Sequence, residues 1–132
     1  MQYKDFSGYT VLAVDDIPMN LLLIRKILTK LNVTIKTAAN GQEALDTIAD
    51  MKPDLVLLDI MMPVMDGYQV LEALKTNADT ENIRVIVLSA LNSNEDIVKG
   101  FNLGANDFIT KPIILEKILS CVSTQLELAG KQ

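Results

Sequence analysis

Five polar or charged side chains stand where apolar stretches of the sequence end: Asp15, Asp16, Asp59, Ser89 and Lys111. Three of them are carboxylates, which repel one another in a cluster unless a cation lies between them. A hard divalent ion is the natural partner, and Mg2+ fits best because it commonly binds one or two carboxylates, keeps several waters and completes its octahedron with phosphate oxygens. Mn2+ could take its place, whereas a calcium site would require more protein ligands. A main-chain carbonyl near Met61 could supply one further ligand.

The combination of magnesium with a carboxylate, a hydroxyl and a lysine indicates phosphoryl transfer. An aspartate such as Asp59 can itself be the nucleophile and form an aspartyl phosphate, which requires no histidine. Lys111 would neutralise charge on the phosphoryl oxygens, and Ser89 would donate a hydrogen bond to one of them. The sequence contains no histidine, so serine-histidine triads, histidine metal sites and histidine general bases are excluded.

Each of these residues alone has an ordinary structural explanation. The acidic pair can cap a helix, Ser89 can end a strand in solvent, and Lys111 with Pro112 can form a simple turn. An ionised Asp59 directly after four apolar residues is harder to explain, because a buried carboxylate without a partner is costly. The joint placement of all five side chains at strand ends therefore favours one shared site.

Strand-like and helix-like patterns alternate along the chain and would position these residues. Apolar or β-rich runs predict strands at residues 10–14, 33–38, 55–58, 83–88 and 107–110. Helical periodicity predicts helices at residues 20–31, 42–51, 67–75, 94–101 and 113–128. Pro18 suits the first turn of the first helix. The apolar side of the fourth helix consists of Ile97, Val98 and Phe101.

This alternation predicts the fold class. Strands alternating with helices imply parallel βαβ units with right-handed crossovers, and hence a three-layer α/β sandwich. For a short chain the flavodoxin-like arrangement is expected, in which a five-stranded parallel sheet has the strand order 2-1-3-4-5. The second strand is more polar than the first, which is typical of a strand near an edge. Ligands bind outside the carboxyl ends of such strands, so the five side chains are predicted to face one crevice.

Length and composition limit the class of protein. With 132 residues, 49% of them hydrophobic, the chain is expected to form a single domain over residues 1–132 with a substantial core. The formal net charge of -5 argues against direct nucleic-acid binding. Because no apolar run has membrane-spanning length and no secretory signal is visible, a cytoplasmic protein without a membrane partner is expected. The single cysteine, Cys121, excludes an internal disulfide and is expected to pack against a core.

The sequence resembles the response-regulator receiver domains of two-component signalling, such as the chemotaxis regulators, over essentially the whole chain. Four motifs carry the resemblance, in the order typical of the family: Val-Asp15-Asp16, Leu-Leu-Asp59-Ile-Met-Met-Pro-Val-Met-Asp-Gly, Ser89-Ala90 and Lys111-Pro112. This resemblance implies a role for each site residue. Asp59 would be the phosphoacceptor, and the acidic pair would hold magnesium directly or through water. Met61 would contribute its main-chain carbonyl, while Lys111 and Ser89 would contact the phosphoryl group.

The resemblance also implies a conformational switch. It suggests that the Lys111-Pro112 peptide bond is cis, which would aim the lysine inward. Phe108 occupies the aromatic switch position of the family, where the ring turns inward as Ser89 moves toward the phosphate. Many members carry tyrosine at that position. Phenylalanine preserves the burial of the ring but cannot make the hydroxyl contact to a partner.

A receiver domain implies particular partners. The phosphoryl group would come from a sensor histidine kinase or a histidine phosphotransfer protein. The output surface would comprise the helix at residues 94–101, the strand at residues 107–110 and the final helix. It would act on a downstream output domain or form a homodimer, and the chain itself is expected to contain no output domain.

Three other functions share parts of this pattern. A receiver can dock partners without being phosphorylated, although the intact acidic set and Lys111 argue against that alternative. A phosphohydrolase of the haloacid-dehalogenase kind also uses an aspartate after a strand, but it normally has a second aspartate two residues later, where this chain has Met61. A flavodoxin-like flavin carrier would need a loop rich in serine, threonine and glycine after the first strand, and Asp15 and Asp16 would instead repel a phosphate.

Overall fold

The computed structural model describes residues 3–130. Its strands are β1 (Thr10–Val14), β2 (Thr34–Ala38), β3 (Leu55–Leu58), β4 (Arg84–Ser89) and β5 (Asp107–Thr110). Its α-helices are α1 (Pro18–Leu28), α2 (Gly41–Met51), α3 (Gly67–Lys75), α4 (Asn94–Asn102) and α5 (Leu115–Ala129). All strand pairs are parallel, and the sheet has the order β2-β1-β3-β4-β5. The predicted flavodoxin-like α/β fold is therefore confirmed.

The inner strands are apolar because helices cover both faces of the sheet. Along β1, Val11 and Ala13 pack in the layer that contains α1 and α5, whereas Leu12 and Val14 pack in the layer that contains α2 and α3. β3 is buried at every position. The more polar β2 lies at one edge of the sheet, as its sequence predicted.

Local signals in the sequence define where the helices begin. Pro18 occupies the first turn of α1, as predicted. The side chains of Asn40 and Ser93 cap α2 and α4 by accepting a hydrogen bond from the main chain three residues later. Asp66 and Gln69 form a reciprocal capping box at the start of α3. These caps anchor the loops at the carboxyl ends of the strands.

The remaining differences from the predicted boundaries are small. α1 ends before the predicted position, and a 3-10 turn, Thr29–Leu31, completes the segment. β4 includes Ser89 as its last residue. α5 begins at Leu115 because Ile114 before it has extended backbone angles of φ -116° and ψ 120°.

The apolar side of α4 faces mostly away from the sheet. Val98 and Phe101 are 54% and 44% exposed, and the buried residue of this helix is Gly100. A Cβ atom on Gly100 would lie 3.0 Å from Cδ2 of Phe108, so the glycine allows the ring to pack close to the helix backbone. The apolar stripe exists, but tertiary packing turns most of it outward. α4 therefore presents an apolar surface away from the sheet.

Among residues 3–130, no helix combines the length and the apolar character needed to cross a membrane.

Cys121 is half-buried and packs against the core layer of α1 and α5, as expected. Burial, together with the charge of Asp107, raises the pKa of the Cys121 thiol to about 11, so the thiol is protonated at neutral pH.

Candidate functional site

Parallel pairing of β1 and β3 brings the predicted carboxylates together. Val14 is paired with Leu58, so Asp15 and Asp59 follow neighbouring strands at the same edge of the sheet. The main-chain N–H of Asp59 donates to the carbonyl oxygen of Val14 at 3.0 Å. Asp15, Asp16 and Asp59 each place one carboxylate oxygen within 4.8 Å of the others. The three acidic residues form one cluster at the ligand-binding end of the fold.

Burial makes the negative charges of this cluster energetically costly. Asp15 and Asp59 are only 1% and 4% exposed, whereas Asp16 is exposed. Burial raises the pKa of Asp59, and the charge of Asp15 raises it further, while Lys111 and main-chain N–H groups act in the opposite direction. A divalent cation would relieve the repulsion, and three oxygen donors suit a hard ion. The acidic triad is therefore able to hold a metal ion.

The ammonium group of Lys111 lies beside two of the carboxylates. Its Nζ atom is 3.1 Å from Oδ2 of Asp15 and 3.6 Å from Oδ1 of Asp59. The main-chain N–H of Lys111 donates to the carbonyl oxygen of Ser89 at 2.8 Å. The peptide bond between Lys111 and Pro112 is cis, the isomer that the family resemblance suggests. A positive charge is thus available next to Asp59.

Ser89 supplies a hydroxyl group one strand away from Asp59. Its strand, β4, pairs with β3, and Ser89 itself is fully buried. Its Oγ atom accepts a hydrogen bond from the main-chain N–H of Leu91 at 3.2 Å. The hydroxyl is therefore tied to the loop that leads into α4.

Asp15 makes a contact that the sequence patterns did not indicate. Its Oδ1 atom accepts from the main-chain N–H of Ile17 at 2.9 Å, and its Oδ2 atom accepts from Nδ2 of Asn20 at 3.1 Å. Asn20 lies in the first turn of α1, and its one sequence signal is an amide side chain at the start of a helix that follows an acidic strand end. The contact becomes visible only when strand, loop and helix are placed together.

The loop after Asp59 is held against the strand. The main-chain N–H of Gly67 donates to the carbonyl oxygen of Ile60 at 2.8 Å. A Cβ atom on Gly67 would lie 2.2 Å from the carbonyl oxygen of Asp59, so this position requires glycine. Val64 has a positive φ of 69°, which is costly for a β-branched residue. The side chain of Met61 is 57% exposed.

Two aromatic residues attach α4 to the rest of the domain. The half-buried ring of Phe108 packs in the layer that contains α2 and α3 and lies against Gly100. The hydroxyl of Tyr68 donates to the carbonyl oxygen of Asp96 in α4 at 3.0 Å, and Nζ of Lys99 lies 4.3 Å from the centre of the Tyr68 ring. α4 is thus connected to β5 through Phe108 and to α3 through Tyr68.

A sequence comparison identifies relatives of the chain. Residues 11–123 match the response regulator receiver domain family. A probable cyclic di-GMP phosphodiesterase from Vibrio cholerae is 42% identical over 127 residues, which are 96% of this chain and 29% of that protein. The chain therefore spans less than a third of this relative, whose remaining length lies outside the matched region.

Solved structures agree with the sequence comparison. The signal receiver domain of a signal transduction histidine kinase from Syntrophus aciditrophicus has a TM-score of 0.86 and 33% identity, with 95% of both chains covered. A chain of the CheX-CheY-BeF3-Mg+2 complex from Borrelia burgdorferi has a TM-score of 0.84 and 34% identity, with 89% of both chains covered. On this evidence, the chain belongs to the response regulator receiver domain family, and it is a phosphoacceptor module of two-component phosphorelay signalling rather than a true enzyme.

Proposed function

We propose that Asp59 is the phosphoacceptor and that its donor is a phosphohistidine on a sensor histidine kinase or a histidine phosphotransfer protein. The observation that carries this proposal is the setting of Asp59, a buried carboxylate with the Lys111 ammonium 3.6 Å away and two further carboxylates within 4.8 Å. A buried aspartate in such a setting combines a nucleophile with the charges that stabilise a transferring phosphoryl group.

Mg2+ is the proposed cofactor, and Mn2+ is the expected substitute. Asp15, Asp16 and Asp59 would hold the ion together with the main-chain carbonyl of Met61, an all-oxygen set of the kind that magnesium prefers. When bound, the ion would neutralise negative charge on the phosphoryl oxygens.

The reaction is an in-line transfer to oxygen. A carboxylate oxygen of Asp59 attacks the phosphorus atom, the new O–P bond forms while the N–P bond of the donor breaks, and the histidine nitrogen leaves with the electron pair. The Lys111 ammonium moves from Asp15 toward the charge on the phosphoryl oxygens, and the Ser89 hydroxyl donates a hydrogen bond to one of them. Later attack by water on phosphorus releases phosphate and restores the Asp59 carboxylate.

Phosphorylation would switch the domain by changing the contacts of Ser89. The Ser89 hydroxyl oxygen accepts from Leu91, so its movement toward a phosphoryl group would pull on the loop before α4. Phe108, whose half-buried ring lies against Gly100, would turn further inward. The two arrangements exist in equilibrium, and the phosphoryl group favours one of them.

The proposed output surface consists of α4, β5 and α5. Val98 and Phe101 already expose apolar side chains on α4, which suits contact with a downstream output domain or a second copy of the chain. Phe108 brings no hydroxyl group to that surface, so partner binding would depend on ring position. We propose that the chain is a single receiver domain in the cytoplasm and that its output resides in other domains or proteins. The 29% coverage of the Vibrio relative supports that view.

The phosphodonor is proposed to dock beside α1. Four apolar side chains near the start of this helix are 43% to 71% exposed: Ile17, Met19, Leu22 and Leu23. The last turn adds the basic residues Arg25 and Lys26, and the sequence of α1 contains no acidic residue. This apolar and basic face suits a donor helix with apolar and acidic side chains around its phosphohistidine.

Incubation with acetyl phosphate tests the proposal without a protein partner. The wild type in MgCl2 is expected to gain one labile phosphoryl group by intact mass spectrometry, whereas Asp59→Asn or a chelator should abolish the gain. If the wild type gains no phosphoryl group but still binds its partner, the domain is a docking receiver. If Asp59→Asn gains the group equally well, another residue is the acceptor.

A further inference from the structure

We propose that Asn20 is a positioning residue that holds the Asp15 carboxylate ready for cation binding while Lys111 moves from Asp15 to the phosphoryl group. This inference rests on the proposed function, because it concerns the same acidic site. It adds a residue to which neither the acidic motif nor the reaction described above assigns a part.

Three hydrogen bonds hold the Asp15 carboxylate in place. This carboxylate is almost completely buried, and each of its oxygens accepts a hydrogen bond. Oδ1 accepts from the main-chain N–H of Ile17 at 2.9 Å. Oδ2 accepts from Asn20 and from Lys111, each at 3.1 Å. The carboxylate plane is thus defined by one donor from the loop, one from α1 and one from the end of β5.

The two donors to Oδ2 of Asp15 differ in charge. Lys111 is an ammonium, and it cannot stay at its present distance from Asp15 without repulsion once a divalent cation shares that carboxylate. When Lys111 leaves, a buried oxygen loses a donor, which is unfavourable unless another remains. The Asn20 amide is neutral, so it can keep its bond to Oδ2 in both situations. An amide meets this requirement where a second lysine would not.

The position of Asn20 in the fold also supports a positioning role. It lies on α1 rather than in the loop, so its side chain is anchored by a regular helix of 11 residues. Asparagine is a weaker helix former than leucine. The N-cap residue of α1, Ile17, makes no side-chain capping hydrogen bond, so helix capping does not explain the asparagine at position 20. Its hydrogen bond to Asp15 gives the Asn20 amide a role at the carboxylate. Comparable hydrogen bonds orient the ligands of other metal sites.

Magnesium binding tests this assignment without phosphoryl transfer. The variant Asn20→Leu keeps the branched shape and the number of side-chain heavy atoms but removes the donor, and Asn20→Gln retains an amide. Asn102→Leu is the matched control, because Asn102 is an exposed asparagine within α4. Calorimetric titration with MgCl2 alone gives the affinity of each protein, and thermal unfolding in a chelator reports whether each variant is folded.

Asn20→Leu is expected to weaken Mg2+ binding about tenfold, the lower end of the effect of outer-contact removal at metal sites. Asn20→Gln should recover part of that loss, Asn102→Leu should match the wild type, and all should unfold at similar temperatures in chelator. Affinity of Asn20→Leu within about twofold of the wild type would overturn the inference, as would an equal loss in Asn102→Leu. In those cases wild-type phosphorylation by acetyl phosphate would leave the proposed function standing. A wild type that binds no Mg2+ and gains no phosphoryl group would overturn both.

Discussion

At the scale of single residues, the burial of Asp59 makes the stability of the fold depend on pH. Burial raises the pKa of this carboxyl above its ordinary value of 3.8, so the folded chain binds its proton more readily than the unfolded chain does. Below the unfolded pKa both states are protonated and there is no penalty. As the pH rises through the folded pKa, ionisation makes the folded state progressively less stable relative to the unfolded state.

The variant Asp59→Asn removes this ionisation. In a chelator at pH 7, we expect its free energy of unfolding to exceed that of the wild type, because a neutral amide avoids the cost of a buried charge. The difference should shrink as the pH falls toward the unfolded pKa. Denaturant unfolding at several pH values measures it. A difference that is constant or grows toward acid pH would contradict the assignment of the raised pKa to Asp59.

Site residues could be predicted from the sequence where a strand ended in a polar side chain. Asp15, Asp59 and Lys111 were predicted in this way, because apolar runs reveal buried strands and parallel strands bring their carboxyl ends together. Asn20 could not be predicted, since its bond to Asp15 depends on how the loop turns into α1. The shifted pKa of Asp59 also required the structure, because burial is a property of all its neighbours.

At the scale of elements, the loop between β3 and α3 depends on close approach at Gly67. The variant Gly67→Ala would place Cβ 2.2 Å from the carbonyl oxygen of Asp59 and 2.7 Å from Cα of Ile60, both backbone atoms. We expect a loss of about 2 to 3 kcal/mol in the free energy of unfolding. Denaturant titration measures that loss.

Gly100→Ala provides the matched comparison. Its Cβ would meet only ring atoms of Phe108, at 3.0 and 3.1 Å, and this side chain can rotate. The replacement also gains helix propensity of about 1 kcal/mol, so the net change should stay within about 1 kcal/mol. Equal destabilisation by both alanine variants would refute the argument that backbone contact makes Gly67 obligatory.

The attachment of α4 through Tyr68 predicts a local effect. Tyr68→Phe removes the hydrogen bond from the hydroxyl to Asp96 in α4, worth about 1 kcal/mol. Amide hydrogen exchange in α4 should accelerate about fivefold as a result. Exchange in α2, on the other side of α3, is the internal control and should be unchanged. No change in α4, or the same acceleration in α2, would show that Tyr68 does not hold this helix.

Element boundaries were more predictable than element orientation. β3 and α3 match their predicted ranges because turn residues and caps mark their ends. The direction in which the apolar side of α4 faces could not be predicted, because periodicity shows where apolar side chains gather but not which way they point. Gly100 allows the Phe108 ring against the helix, and a glycine contributes nothing to an apolar pattern.

At the scale of the whole molecule, the proposed docking face on α1 should affect phosphoryl transfer from a protein donor but not from a small-molecule donor. Leu22 is 53% exposed, so Leu22→Asp should fold normally while placing a charge in the apolar patch. Transfer from a phosphorylated histidine phosphotransfer protein should fall about tenfold or more, whereas phosphorylation by acetyl phosphate should be unchanged.

Val98→Asp is the matched control on the opposite surface, since Val98 is also about half exposed. It should leave transfer from the protein donor near the wild-type rate. Initial transfer rates measured by gel autoradiography provide the comparison. Loss of transfer in Val98→Asp but not in Leu22→Asp would place the donor on the α4 surface instead.

Chemical mapping identifies the residue that accepts the phosphoryl group. Borohydride reduces an aspartyl phosphate to homoserine, so reduction after incubation with acetyl phosphate and MgCl2, followed by peptide mass spectrometry, marks the acceptor. We expect homoserine at position 59 in the wild type and none in Asp59→Asn. Homoserine at position 15 or 16, or no homoserine in phosphorylated wild type, would contradict this expectation.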